Sequence, residues 1–137
     1  MRFRLLTVKV GVMVLAWLAG CTGTHGPAPS APGQGVVIGK GMKIEAARKA
    51  LEAGGVALVE DRGSYSRNPW VVRSPKSVDA LVAELDERNR IEWLYWYVDW
   101  QHDRAQPKGE RKFITEDVAG MTVEEIGRWV ERGVRPG

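Results

Sequence analysis

Asp99, His102 and Asp103 are where this sequence sets an imidazole among carboxylates. At a strand end and the loop after it, such residues can ligate a divalent metal, or let His102 move a proton under carboxylate control. Three such residues in a charged connector fit a solvated hairpin as well. Nucleophilic chemistry has less to draw on. No Gly-x-Ser-x-Gly elbow occurs, and the serines fall in turns and caps. Cys21 is the single cysteine, so an internal disulfide and a multi-cysteine metal site are both excluded. The Gly35-to-Gly41 stretch fails as a phosphate loop: Gly35 stands three residues before Gly39-Lys40 and Gly33 five, where four are needed, and Gly41 occupies the place of the hydroxyl. His25, isolated among small residues, reads as solvated. We therefore assign no catalytic residue, metal ligand or cofactor, and expect a protein that is not an enzyme.

The densest chemistry is aromatic. Residues 91–100 read IEWLYWYVDW. As a strand they put Ile91, Trp93, Tyr95 and Tyr97 on one face and Leu94, Trp96, Val98 and Trp100 on the other. Such rings can fill a core, stack against a glycan, or serve as anchors for a protein partner. Trp93, Tyr97 and Trp100, with His102 and Arg104 of the following loop, are the candidate partner- or glycan-binding residues. Trp100 and Tyr97, nearest that loop, are the ones expected to reach solvent.

The surrounding elements must position them. Ile44, Ala47 and Leu51 recur at helical spacing within 42–53, and Gly54-Gly55 supplies a stop. Residues 56–60 and 69–73 are short, apolar and β-branched, with turn residues 61–68 between them. Ser74-Pro75 reads as an N-cap and first helical turn, and Val78, Leu81, Val82 and Leu85 fall at i, i+3, i+4 and i+7, so a helix is predicted to run to about Arg88. After the aromatic strand, 101–111 is a polar connector and 112–115 a return strand. Thr122 and Glu125 make a capping-box pattern that opens a last helix, with Val123, Ile126, Trp129 and Val130 inward and Gly133 as its stop. The predicted fold is α+β, a small, mainly antiparallel sheet with helices packed on one face, in the order α-β-β-α-β-β-α.

Charge and the N-terminal region bear on place. Of 20 basic residues, Arg2, Arg4 and Lys9 precede Cys21, leaving 17 against 17 acidic ones and no net field to draw in nucleic acid. The basic start is followed by an apolar run over 10–19, about the length of a secretory h-region and half the roughly 20 residues a membrane span needs. It ends in Leu18-Ala19-Gly20-Cys21. This sequence resembles the lipobox of bacterial lipoproteins, which are cut before a cysteine that carries a diacylglyceryl group. The resemblance implies lipidation at Cys21 and a membrane-held, periplasm-facing protein of the cell envelope. The expected function is a non-enzymatic protein-interaction or structural module with an envelope protein as partner, or alternatively a carbohydrate- or peptidoglycan-binding module using the 91–100 strand. Thr22 rather than aspartate after the cysteine implies the outer membrane over the inner. The expected organisation is a signal peptide at 1–20, the lipidated cysteine and a Pro/Gly-rich tether at 21–35 reaching about 20 Å, and one globular domain at 36–137. The run 41–55, GMKIEAARKALEAGG, followed by a strand, also resembles small envelope lipoproteins, including the accessory lipoprotein of the outer-membrane β-barrel assembly machine. The helix expected after Ser74 departs from that pattern, and no residue roles are taken from it.

Overall fold

The computed structural model describes residues 35–62 and 69–136. In chain order the elements are β1 (Val37–Gly39), α1 (Ile44–Ala53), β2 (Val59–Glu60), β3 (Trp70–Arg73), β4 (Ala80–Leu85), β5 (Ile91–Tyr97), α2 (Trp100–Ala105), a 3₁₀ turn (Lys108–Glu110), β6 (Thr115–Asp117), β7 (Gly120–Thr122) and α3 (Val123–Arg132). Strands β2 to β6 form an antiparallel sheet in sequence order, while β1 and β7 pair in a second, two-stranded sheet. The class is α+β with a small antiparallel sheet, as the sequence indicates. Among the described residues no helix is long and apolar enough to cross a membrane. Cys21, the leader and the tether up to residue 34 lie outside the described residues, as does most of the 61–68 turn.

The element order departs from the expected α-β-β-α-β-β-α in the added strands β1 and β7, in α2, and above all at 74–88, where the difference reshapes the core. Residues 74–88 do not form a helix: 80–85 are the central strand β4, paired on one side with β3 and on the other with β5. The run ALVAEL is buried at every position but Glu84, because side chains alternate into a covered face above and another below. A six-residue apolar run satisfies helical spacing and strand burial equally, and the neighbouring strands decide between them. Ser74 caps a turn instead of a helix. Its Oγ accepts from the Lys76 N–H at 3.1 Å and donates to the Val130 carbonyl at 2.7 Å, tying this turn to the end of α3.

The first face of the sheet carries Val72, Leu81, Ala83, Leu85, Leu94 and Trp96, and α1 and α3 cover it with Ile44, Ala47, Leu51, Val123, Ile126 and Trp129. Trp129 has no exposed surface and meets Trp96 edge-on, ring centres 4.8 Å apart. The second face carries Val71, Ala80, Val82, Tyr95 and Tyr97, packed by Trp93, Trp100 and Phe113. Short α2 and the chain after it supply that cover.

Strict alternation along β5 fails at both ends, for identifiable reasons. Glu84 pairs with Trp93 but Leu85 with Ile91, so Glu92 is a bulge residue. The bulge turns Ile91 onto the helix-covered face, away from Trp93, Tyr95 and Tyr97. At the other end the strand stops at Tyr97, and Asp99 adopts a left-handed conformation (φ 56°) that starts α2. Trp100 consequently packs on the Tyr97 side, not with Leu94 and Trp96. The polar connector holds a helix over its first residues, and the return strand is Thr115–Asp117, two or three residues later than the spacing suggests.

The capping box of α3 is complete: Glu125 N–H donates to Thr122 Oγ1 at 3.1 Å, and Thr122 N–H donates to Glu125 Oε1 at 3.0 Å. These bonds hold the Glu125 carboxyl below the ordinary range, first through the Thr122 backbone N–H and then through its hydroxyl. Thr122→Ala removes the cap and should lower stability by about 1 kcal/mol, a fall of roughly 4–8 °C in Tm on thermal denaturation. An unchanged Tm would show that the β1–β7 pairing alone fixes the start of this helix.

Candidate binding site

The aromatic strand is first of all core. Tyr95 is 1% and Tyr97 6% exposed, and both hydroxyls are satisfied inside the fold: Tyr95 donates to Glu84 Oε2 at 2.6 Å and Tyr97 to Asp103 Oδ2 at 2.5 Å. Trp93 is half-buried at the start of β5. Its Nε1 donates to Asp117 Oδ1 at 2.7 Å and its ring leans on Tyr95, centres 4.1 Å apart. Tyr97 therefore offers no ring face to a ligand, contrary to its expected exposure. The expected flat platform of stacked rings is reduced to Trp93 and Trp100 at opposite ends of β5.

The acid–histidine group separates in three dimensions. His102 is exposed and its Nδ1 meets Asp99 Oδ1 at 2.6 Å. Asp103, 7% exposed, turns inward. It accepts from the Tyr97 hydroxyl and from the backbone N–H groups of Lys112 and Phe113, the latter two at 2.9 and 3.0 Å. Burial by itself lifts this carboxyl, but the Tyr97 hydroxyl, the two N–H groups and the Arg111 charge together outweigh it and hold the group below the ordinary aspartate range. Asp103 is thus a clamp fastening the 112–113 segment, where Phe113 sits at φ 50°, over the second face of the sheet. Among the described residues no three His, Cys, Asp or Glu side chains gather around a point that could hold a metal.

Trp100 and Arg104 do come together, one turn apart on α2, beside residues that their sequence positions did not suggest. They line a cavity of about 540 Å³ with Arg73 at the end of β3 and apolar walls from Val59, Val71 and Val130. That size lies within the range of small-ligand sites. The Arg73 guanidinium stands 5.0 Å from the centre of the Trp100 ring and that of Arg104 5.7 Å from it. Arg104 is also ion-paired with Asp61, 2.8 Å away, with both side chains largely covered. Family models, curated proteins and solved structures were all compared with this chain, and none matches. Of the five expected binding residues, two reach this cavity, one (Trp93) is held at the far end of β5, one (Tyr97) is core, and His102 sits apart in a shallow depression beside Asp99. Arg73, Asp61 and Val59 escaped sequence reading because only strand register and the left-handed turn at Asp99 bring them to α2.

Proposed function

We propose that this chain is a membrane-tethered, non-enzymatic binding module of the bacterial envelope, held by lipid on Cys21 and engaging an envelope protein through the cavity at Trp100. The observation that carries the binding part is the cavity: valine walls, one tryptophan face and a guanidinium lying across it. Aromatic and arginine side chains of this kind dominate protein recognition, since they combine large contact area with fixed polar geometry. Leu18-Ala19-Gly20-Cys21 and the Pro/Gly-rich stretch after it support the tether, and an anchor of two or more acyl chains gives a hold that one chain does not.

Two measurements test the two parts. Cys21→Ser should shift the protein wholly from the membrane fraction to the soluble one and abolish metabolic labelling with palmitate. Continued labelling, or retention in membranes, would refute the anchor. A photo-crosslinking residue placed at Val59, at the cavity mouth, should capture a defined protein in intact cells, whereas the same residue at Lys49 on the outer side of α1 should not. Equal products from both positions, or lipid products alone, would refute the cavity as the contact.

A further inference from the structure

We propose that the Trp100 cavity takes the free carboxyl end of a peptide whose last residue is apolar, with the carboxylate on Arg73 and the side chain among Val59, Val71 and Val130. This deepens the binding-module reading and rests on its assignment of the cavity, but not on the anchor at Cys21.

Charge accounting selects the anion. Arg104 faces Asp61 at 2.8 Å, and Glu60, also on the cavity wall, faces Arg62 at 3.5 Å. Arg73 is different: among the described residues its side chain makes no hydrogen bond or ion pair, only the contact with the Trp100 ring. A ring face offers the guanidinium no acceptor in its own plane, so its forked N–H edge is left for one from outside. A carboxylate matches that fork with two parallel bonds. One uncompensated cation beside the carboxylates of Glu60 and Asp61 favours a single negative charge over a doubly charged phosphate, whose second charge would find no partner there.

The walls select the rest of the ligand. Val59, Val71 and Val130, in the lining of a volume of about 540 Å³, suit an aliphatic side chain and little polar surface. A peptide is favoured over a free acid by the strand at the cavity mouth. β2 is the outer strand of its sheet, and Val59 on it is 60% exposed, so an extended segment can lie alongside while its end turns into the cavity.

Titration calorimetry on the purified full chain in detergent micelles tests this with N-acetyl-glycyl-leucine, its carboxamide, isovalerate and inorganic phosphate. The acid should bind at least tenfold more tightly than the carboxamide. Arg73→Lys, which keeps the charge and loses the fork, should weaken the acid about tenfold, and Arg73→Leu should erase the difference between acid and amide. Arg73 is exposed, so both variants should melt like the parent, and a melt confirms that they are folded. Isovalerate binding as tightly as the dipeptide would keep the carboxylate on Arg73 but overturn the peptide terminus as its source. Equal binding of acid and amide, phosphate competing as well as the acid, or no heat up to millimolar ligand would overturn the proposal. If any of these occurs while the Val59 crosslink still forms, the binding module stands and only its ligand class is wrong.

Discussion

Asp103→Ala should lower the stability of the domain by about 3 kcal/mol at neutral pH, read as a fall in the urea midpoint at unchanged slope. The Asp103 carboxylate is the common acceptor for the Tyr97 hydroxyl and the N–H groups of Lys112 and Phe113. Its removal leaves the Tyr97 hydroxyl buried with a lost acceptor and frees the segment that carries Phe113, whose ring stands 5.1 Å from that of Tyr97 and 6.0 Å from that of Tyr95. An unsatisfied buried donor costs about 1–3 kcal/mol, and exposed Lys112 recovers part of its loss from water. The sign with pH follows from the lowered carboxyl. A group whose folded pKa lies below its unfolded value of about 3.9 contributes stability above that value and loses it as pH falls through the folded pKa. The gap between parent and Asp103→Asn should therefore be full at pH 7 and narrow only in the acid range. A variant within about 0.5 kcal/mol of the parent, the scatter of ordinary surface changes, or a gap that does not change on acidification, would show that the clamp is ornamental.

Gly133→Ala should lower Tm by more than about 10 °C, from a loss of roughly 2–4 kcal/mol. Two separate obstacles meet there. The residue sits at φ 77°, where an alanine pays the left-handed penalty, and an added Cβ would run into the Lys76 carbonyl. That carbonyl belongs to the turn Ser74 organises, so it cannot retreat without straining the Ser74 bond to Val130. Gly55 supplies the control: its φ is 81°, but a Cβ there meets nothing within 4 Å. Gly55→Ala should thus cost only the conformational part, about 1 kcal/mol. Equal effects from the two alanines would mean that the 74–76 turn yields freely, and that α3 is not locked against it.

What the sequence makes legible here is whatever is decided locally. The stop at Gly133, the Thr122–Glu125 box and the apolar stripe of α1 each depend on neighbours within one or two helical turns, and all three hold. The 74–88 segment fails the same treatment because Val78, Leu81, Val82 and Leu85 match helical spacing by coincidence. The partners that make 80–85 a strand are Val71, Val72, Tyr95 and Trp96, which lie beyond one or two helical turns and are brought in by pairing with the neighbouring strands. Trp93 and Tyr97 show the same limit at side-chain scale. Their aromatic character marks them as important, but only Asp117 on the neighbouring strand and Asp103 on α2 reveal that Trp93 is tied back and Tyr97 buried. Trp100 and Arg104 were visible as candidates. Arg73, which gives the cavity its chemistry, is an unremarkable strand-end arginine until β3 is set beside α2.

The pairing of Val37, Ile38 and Gly39 with Thr122, Met121 and Gly120 has a kinetic consequence. Every pairing in the five-stranded sheet joins strands adjacent in sequence, the longest connection being 98–114 with α2 and the 3₁₀ turn, so its strands can add one after another. The clasp between the first and last strands instead closes a loop spanning nearly the whole described chain, and the entropy of that closure is recovered only once the sheet exists. Its three residue pairs should thus be among the last to form in folding and among the first to open in the native state.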